Sequence, residues 1–171
     1  MSARVRAERG GKEDPDDLQD PVNQPTFVKI VTNLAVCQEK MGRRKEALTL
    51  LQTVATNPLF RSEQNLVNNL GVIHQRTGNF DQARQCLQTA IELQGSQGNP
   101  AQEFGLNFNM GVTLLKADQL TGALEHFLKA RKIIEAKIQN LEPSELSQFG
   151  FDIRQNKINI FVNLSLVFLK R

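Results

Sequence analysis

The chain has 171 residues, of which 40% are hydrophobic but only 6% aromatic, all ten of these Phe. That length carries one domain with a real core or an elongated stack of small units, and a core built mainly from Leu, Val, Ile and Ala suits helices. A net charge of +3 and a pI near 9.0 are too mild to imply nucleic acid without a concentrated patch, and fit an acidic protein partner at least as well.

Residues 1–20 hold four basic and six acidic side chains and almost no large apolar group, so burial would not repay the entropy of ordering them. They read as a disordered charged tail. The opening Met1-Ser-Ala-Arg-Val-Arg lacks the apolar core of a secretory signal, and Glu8, Glu13, Asp14, Asp16 and Asp17 argue against a transit peptide. The longest apolar run, Ile158 to Leu169, is interrupted by Asn159, Asn163 and Ser165 and is too short to span a bilayer. The expectation is a soluble, intracellular, cytoplasmic protein.

Pro21 and Pro25 lead into a helix expected to start near Thr26, a cap residue. From there the chain repeats, and residues 21–171 read as one all-helical domain with units at about 28–61, 64–97 and 104–142 and a half unit at 152–171. The small residues Ala35, Gly71, Gly111 and Ser165 recur at steps of 36, 40 and 54. Each of the first three is followed twelve residues later by Ala47, Ala83 or Ala123, and sixteen later by Leu51, Leu87 or Phe127. Nineteen residues on stand Val54, Ala90 and Ala130. Met41-Gly42-Arg43, Thr77-Gly78-Asn79 and, more weakly, Ala117-Asp118-Gln119 mark turns between the halves. Each unit is therefore a helical hairpin, and its small residue stands where a bulky side chain would hold the two backbones apart.

The second helix of the third unit is long: Ala123, Phe127, Ala130, Ile134 and Ile138 follow at three- or four-residue steps, with no breaker before Pro143. The fourth unit has only a first helix, apolar nearly all round. Either the chain is a piece of a longer repeat protein, or this helix packs on a partner or a second copy through Phe161, Leu164 and Phe168.

Around each small residue the same four-part run returns: Asn33-Leu-Ala35-Val36 with Lys40, Asn69-Leu-Gly71-Val72 with Arg76, Asn109-Met-Gly111-Val112 with Lys116, and Asn163-Leu-Ser165-Leu166 with Lys170. On a helix turning about 100° per residue, the Asn, the aliphatic and the basic residue fall within about 60° of one another. The residue before the small one (Leu34, Leu70, Met110, Leu164) and the residue three after it (Gln38, His74, Leu114, Phe168) lie roughly opposite. One face is expected to pack and the other to be displayed.

Leu70-Gly71, His74, Gly78, Phe80, Ala83, Leu87 and Ala90 resemble the tetratricopeptide repeat over roughly 34 residues. Met110-Gly111, Leu120, Ala123, Phe127 and Ala130 resemble it too, as do Leu34-Ala35, Gly42, Ala47, Leu51 and Val54. The chain departs by lacking the initial Trp, where Val31, Val67 and Asn107 stand, and the Tyr three after the Gly. The resemblance covers about residues 26–170 and implies a right-handed superhelical stack of antiparallel hairpins. In such a stack, equivalent positions of successive first helices line the concave wall at about 10 Å intervals. A ladder of Asn there can donate to and accept from the backbone of a bound extended segment, as the groove asparagines of kinesin light chain and Leu-Gly-Asn type adaptors do. Val36, Val72, Val112 and Leu166 would add apolar contact, and the four basic residues would favour acidic groups. Chaperone-binding members instead carry a carboxylate clamp; of that set only Asn69 matches, with Thr32, Val36, Gly105 and Asn109 replacing the remainder, so that role is not implied.

No constellation for catalysis or metal binding appears. His74 stands where the family has Tyr and reads as a packed core imidazole, while His126 lacks a second ligand at metal spacing and reads as a surface residue. Cys37 and Cys86 have no Cys-x-x-Cys partner and read as small buried hydrophobes. Glu46 and Glu125 read as solvated carboxylates, and Gly95-Ser-Gln-Gly98 is no phosphate loop. The chain is expected to be no enzyme, to need no cofactor or metal, and to bind an extended acidic peptide rather than nucleic acid. The alternative is a structural subunit that uses its convex face and last helix.

Overall fold

A computed structural model of the chain describes residues 24–95, 99–139 and 143–170. The tail at 1–20 lies outside them. The described residues form seven helices and no strand: α1 (Gln24–Lys40), α2 (Arg44–Ala55), α3 (Gln64–Arg76), α4 (Phe80–Gln94), α5 (Pro100–Lys116), α6 (Leu120–Gln139) and α7 (Pro143–Lys170). They pair as hairpins α1–α2, α3–α4 and α5–α6, with α7 packed on α6 and α5. The fold is an all-α stack of helix hairpins. α1 begins at Gln24, not Thr26, because Pro25 is tolerated in a first turn, where its missing N–H had no partner to lose.

The three hairpin turns share one device. Gly42 and Gly78 adopt φ of +80° and +84°, and Asp118 takes the same left-handed position at +61°. Each thereby ends its first helix and reverses the chain within three residues, and Gly accepts the conformation at no steric cost.

Within each hairpin the repeated residues meet. Ala35, Ala47 and Leu51 are fully buried, as are Ala83, Leu87 and Ala90, and then Ala123, Phe127 and Ala130. A Cβ added at Gly71 would stand 2.9 Å from Leu87 Cγ, and one at Gly111 would stand 2.7 Å from the Phe127 ring. The glycines therefore set the distance between first and second helix. Phe127 also packs at 5.9 Å on Phe108, which stacks on Phe104, and the loop after α2 is pinned by Phe60, 5.0 Å from Phe27. The core runs along the stack as connected clusters, not as one central nucleus.

α6, at 20 residues, is longer than α2 (12) and α4 (15). α7 runs 28 residues, and its C-terminal part holds the segment expected as the half unit. Ile160, Leu164 and Val167 are buried in the same cluster as Phe127 and Met110. Ile158, Phe161, Val162, Phe168 and Leu169 are exposed. Leu164 is thus a core residue and not part of the free face, because it points back at the preceding hairpin.

Replacing Gly111 with Ala forces the methyl into a rigid ring, and the overpacking of about 1–3 kcal/mol outweighs a helix-propensity gain of at most about 1 kcal/mol. We expect Gly111→Ala to lower the thermal midpoint by a few degrees in a circular dichroism melt. A midpoint at or above that of the parent would contradict the close-approach role.

Candidate functional site

The first helices α1, α3, α5 and α7 touch one another in succession, whereas among the described residues α2, α4 and α6 make no close contact with each other. A stack whose one layer is in contact and whose other layer is spread curves toward the first. The inner wall is therefore built from the first helices, which carry the four-fold stripe.

All twelve stripe residues keep solvent exposure. Asn33, Val36 and Lys40 are exposed; Asn69, Val72, Asn109, Val112 and Asn163 are half-buried; Arg76, Lys116, Leu166 and Lys170 are exposed. Their polar groups are not equally free. Asn109 Nδ2 donates to Asn68 Oδ1 at 3.1 Å, tying α5 to α3, and Asn163 Nδ2 donates to the Asn159 carbonyl at 2.7 Å. Arg76 is ion-paired with Glu39, and Lys170 reaches Asp118 at 2.8 Å. Asn33, Asn69, Lys40 and Lys116 make no side-chain hydrogen bond or ion pair among the described residues. Two of the four amides and two of the four cations are therefore fully available.

The opposite face packs throughout only in the middle units: Leu70, Met110, His74 and Leu114 are buried, whereas at the ends Leu34 is 48% exposed and, although Leu164 is buried, Phe168 is 60% exposed. The reason is positional: α1 has no described hairpin before it, and α7 has no described second helix beside it.

Several interactions arise between units. Glu39 is 7% exposed and takes both Arg76 and, at 3.6 Å, Arg44. Gln75 Nε2 donates to Thr113 Oγ1 at 2.9 Å and to the Asn109 carbonyl at 3.2 Å. Of these, Glu39, Arg44, Gln75 and Thr113, like Asn68, are not singled out by the repeat pattern. The available signal was register, since Glu39 and Gln75 both stand four residues after the small residue of their unit.

His74 is buried, its Nδ1 without a hydrogen-bond partner, and burial lowers its pKa. His126 departs from the surface role expected of it: it is half-buried, with Nδ1 3.0 Å from Asn107 Oδ1. Its pKa is lowered first by burial and then by Lys129, with Glu125 opposing. Cys37 is exposed and Cys86 half-buried, so Cys37 departs from the expected burial because it lies on the outward side of α1. Among the described residues no group of His, Cys, Asp and Glu is arranged to hold a metal ion, and no helix is long and apolar enough to cross a membrane.

Two outcomes follow. Glu39→Ala leaves two guanidiniums that are 45% and 53% exposed and can rehydrate, so the loss should be modest. We expect about 1–2 kcal/mol in urea unfolding, shrinking in molar salt. A loss unchanged by salt would exclude the ionic tie. Burial disfavours the charged form of both histidines in the fold, while in the unfolded chain they titrate near the ordinary value of about 6.5. The unfolded state then binds more protons below that value, so stability should be constant above it and fall as pH drops toward 5. His74→Phe with His126→Gln should flatten that segment of a stability-against-pH curve, and parallel curves would refute the assignment.

Models of the tetratricopeptide repeat match residues 63–136 and 32–58. No curated protein matches the sequence. Among solved structures, the type III secretion translocator chaperone SycD of Yersinia enterocolitica is similar at 17% identity and a TM-score of 0.57, covering 85% of this chain and 94% of that one. The same chaperone in complex with a peptide of the translocator YopD is similar at 18% identity and a TM-score of 0.56, over 85% and 95% of the two chains. A type III secretion complex from Aeromonas hydrophila is similar at 18% identity and a TM-score of 0.64, over 99% and 97%. These likenesses are of fold. With its repeats matched and its hairpins stacked in register, the chain belongs to the tetratricopeptide repeat superfamily.

Proposed function

We propose that the chain is a non-enzymatic scaffold or adaptor of the cytoplasm that holds an extended, acidic peptide segment along the inner wall of α1, α3, α5 and α7. The observation that carries this reading is the stripe: one amide, one aliphatic and one cation per first helix, all accessible, on the layer whose helices touch. Free amides at Asn33 and Asn69 can each donate to a carbonyl and accept from an N–H of a strand-like segment without reading its side chains. Lys40 and Lys116 add attraction for carboxylates. The structure of the Yersinia chaperone with a translocator peptide supports the reading, in that a similar fold accommodates a peptide.

A second reading has its own support. Phe161, Phe168 and Leu169 on α7 are 53%, 60% and 82% exposed, a surface that suits permanent contact in an assembly or a second copy. In that case the chain is a structural subunit and the inner wall is not used for peptide capture.

The hydrogen bonds of the stripe decide which variant tests the reading. Asn109 is engaged with Asn68, so its replacement would disturb the fold, whereas Asn33 and Asn69 are uncommitted. Asn33→Ala with Asn69→Ala should leave the thermal midpoint unchanged and remove about 2 kcal/mol of partner affinity, roughly thirtyfold. Affinity capture with the intact chain and the double variant reads this directly. If the same proteins are retained by both, the groove reading fails and the structural one gains.

A further inference from the structure

The outer side of α1 carries a second, differently built surface. Its inward face is filled by Val28, Val31, Thr32, Ala35 and Glu39. On the other side Ile30, Leu34, Cys37 and Met41 recur at steps of four, three and four, which places them within about 60° of one another on a helix. All four are exposed, Ile30 and Met41 by 61% and 60%, and among the described residues α1 touches only α2 and α3. Met41 also lines an open depression at the turn edge of the first two hairpins, together with Gly42, Arg43, Arg44, Lys45, Glu46, Arg76 and Thr77.

That depression is strongly cationic. The cations Arg43, Arg44, Lys45 and Arg76 line it against one carboxylate, Glu46, and a second carboxylate, the buried Glu39, pairs with two of them. Glu39 holds Arg44 and Arg76 in place while leaving each about half exposed. Arg43 and Lys45 are exposed and have no ion pair among the described residues. The N-terminus of α2 opens at the same edge, and its cap residue, Arg43, supplies no side-chain acceptor to the first-turn N–H groups, so the helix dipole adds to the positive field.

We propose that this stripe and depression form one docking surface, beside the inner wall and sharing only Arg76 with it, for a segment of a protein partner that sets apolar side chains along Ile30, Leu34, Cys37 and Met41 and acidic side chains among Arg43, Arg44, Lys45 and Arg76. Charge complementarity selects the occupant. A second copy of the chain would bring to the stripe an α1 that carries Lys29 and Lys40 and whose single acid is buried. A nucleic acid would find no ring to stack on among the lining residues. An apolar stripe continuous with a cationic end fits a polypeptide that is apolar along its length and acidic at one end.

The test uses the full chain and a synthetic amphipathic peptide of Leu and Glu, followed by fluorescence anisotropy. A peptide with Lys in place of Glu and a single-stranded oligonucleotide serve as controls. The Leu/Glu peptide should bind, Arg43→Glu with Lys45→Glu should weaken it by about tenfold or more, and Ile30→Ser with Leu34→Ser should do the same. These substitutions are at exposed positions, so circular dichroism should remain that of the parent. Asn33→Ala with Asn69→Ala should leave this affinity intact, which separates the surface from the groove. The proposal is overturned if the Lys peptide or the oligonucleotide binds as well, if charge reversal changes nothing, or if only the Asn variant loses binding. It is equally overturned if the chain sediments as a dimer that Leu34→Ser dissociates.

Discussion

Successive first helices are joined through one register position, the fourth residue after the small one. Glu39, Gln75 and Leu115 occupy it in turn, and each is 7% exposed although their chemistries differ completely. Glu39 reaches Arg76 of the next first helix, Gln75 reaches the Asn109 carbonyl and Thr113 of the next, and Leu115 enters the apolar cluster shared with Ile160, Leu164 and Val167 of α7. A hairpin cannot bury its own outer surface, so the stack holds only while each unit is matched to its neighbour. The inner wall and everything displayed on it inherit their spacing from these three contacts.

Inside each hairpin a complementary rule applies. A small residue on the first helix faces a large one on the second, with Gly71 against Leu87 and Gly111 against Phe127. In the first hairpin the equivalent positions are Ala35 and Leu51, both fully buried, so a Leu serves opposite either small residue. The left-handed residue at Gly42, Gly78 or Asp118 then fixes where the second helix starts.

Much of this was legible in the sequence because it is local. The spacing of Ala35, Gly71 and Gly111, the turn residues and the burial of His74 all follow from a repeat read along one chain. The rest depended on what lies across a joint. Leu34, Cys37 and Phe168 obey the periodicity of packed residues yet are exposed, since no described element lies against them. His126 looked solvated until α5 brought Asn107 to it, and the pairing of Asn109 with Asn68 links residues that no repeat register connects. The stripe itself was visible, but which of its amides and cations are free was not, because Glu39, Asp118, Asn68 and Asn159 decide that.

The three joints have a mechanical consequence. Over the apolar contact that every joint shares, the first adds a buried carboxylate between guanidiniums, the second an amide between a carbonyl and a hydroxyl, and the third the exposed pair of Lys170 and Asp118. The wall is therefore a row of hinges with different polar latches, and salt, which screens exposed pairs most, loosens the latch beside α7 before the one whose carboxylate is buried between α1 and α3.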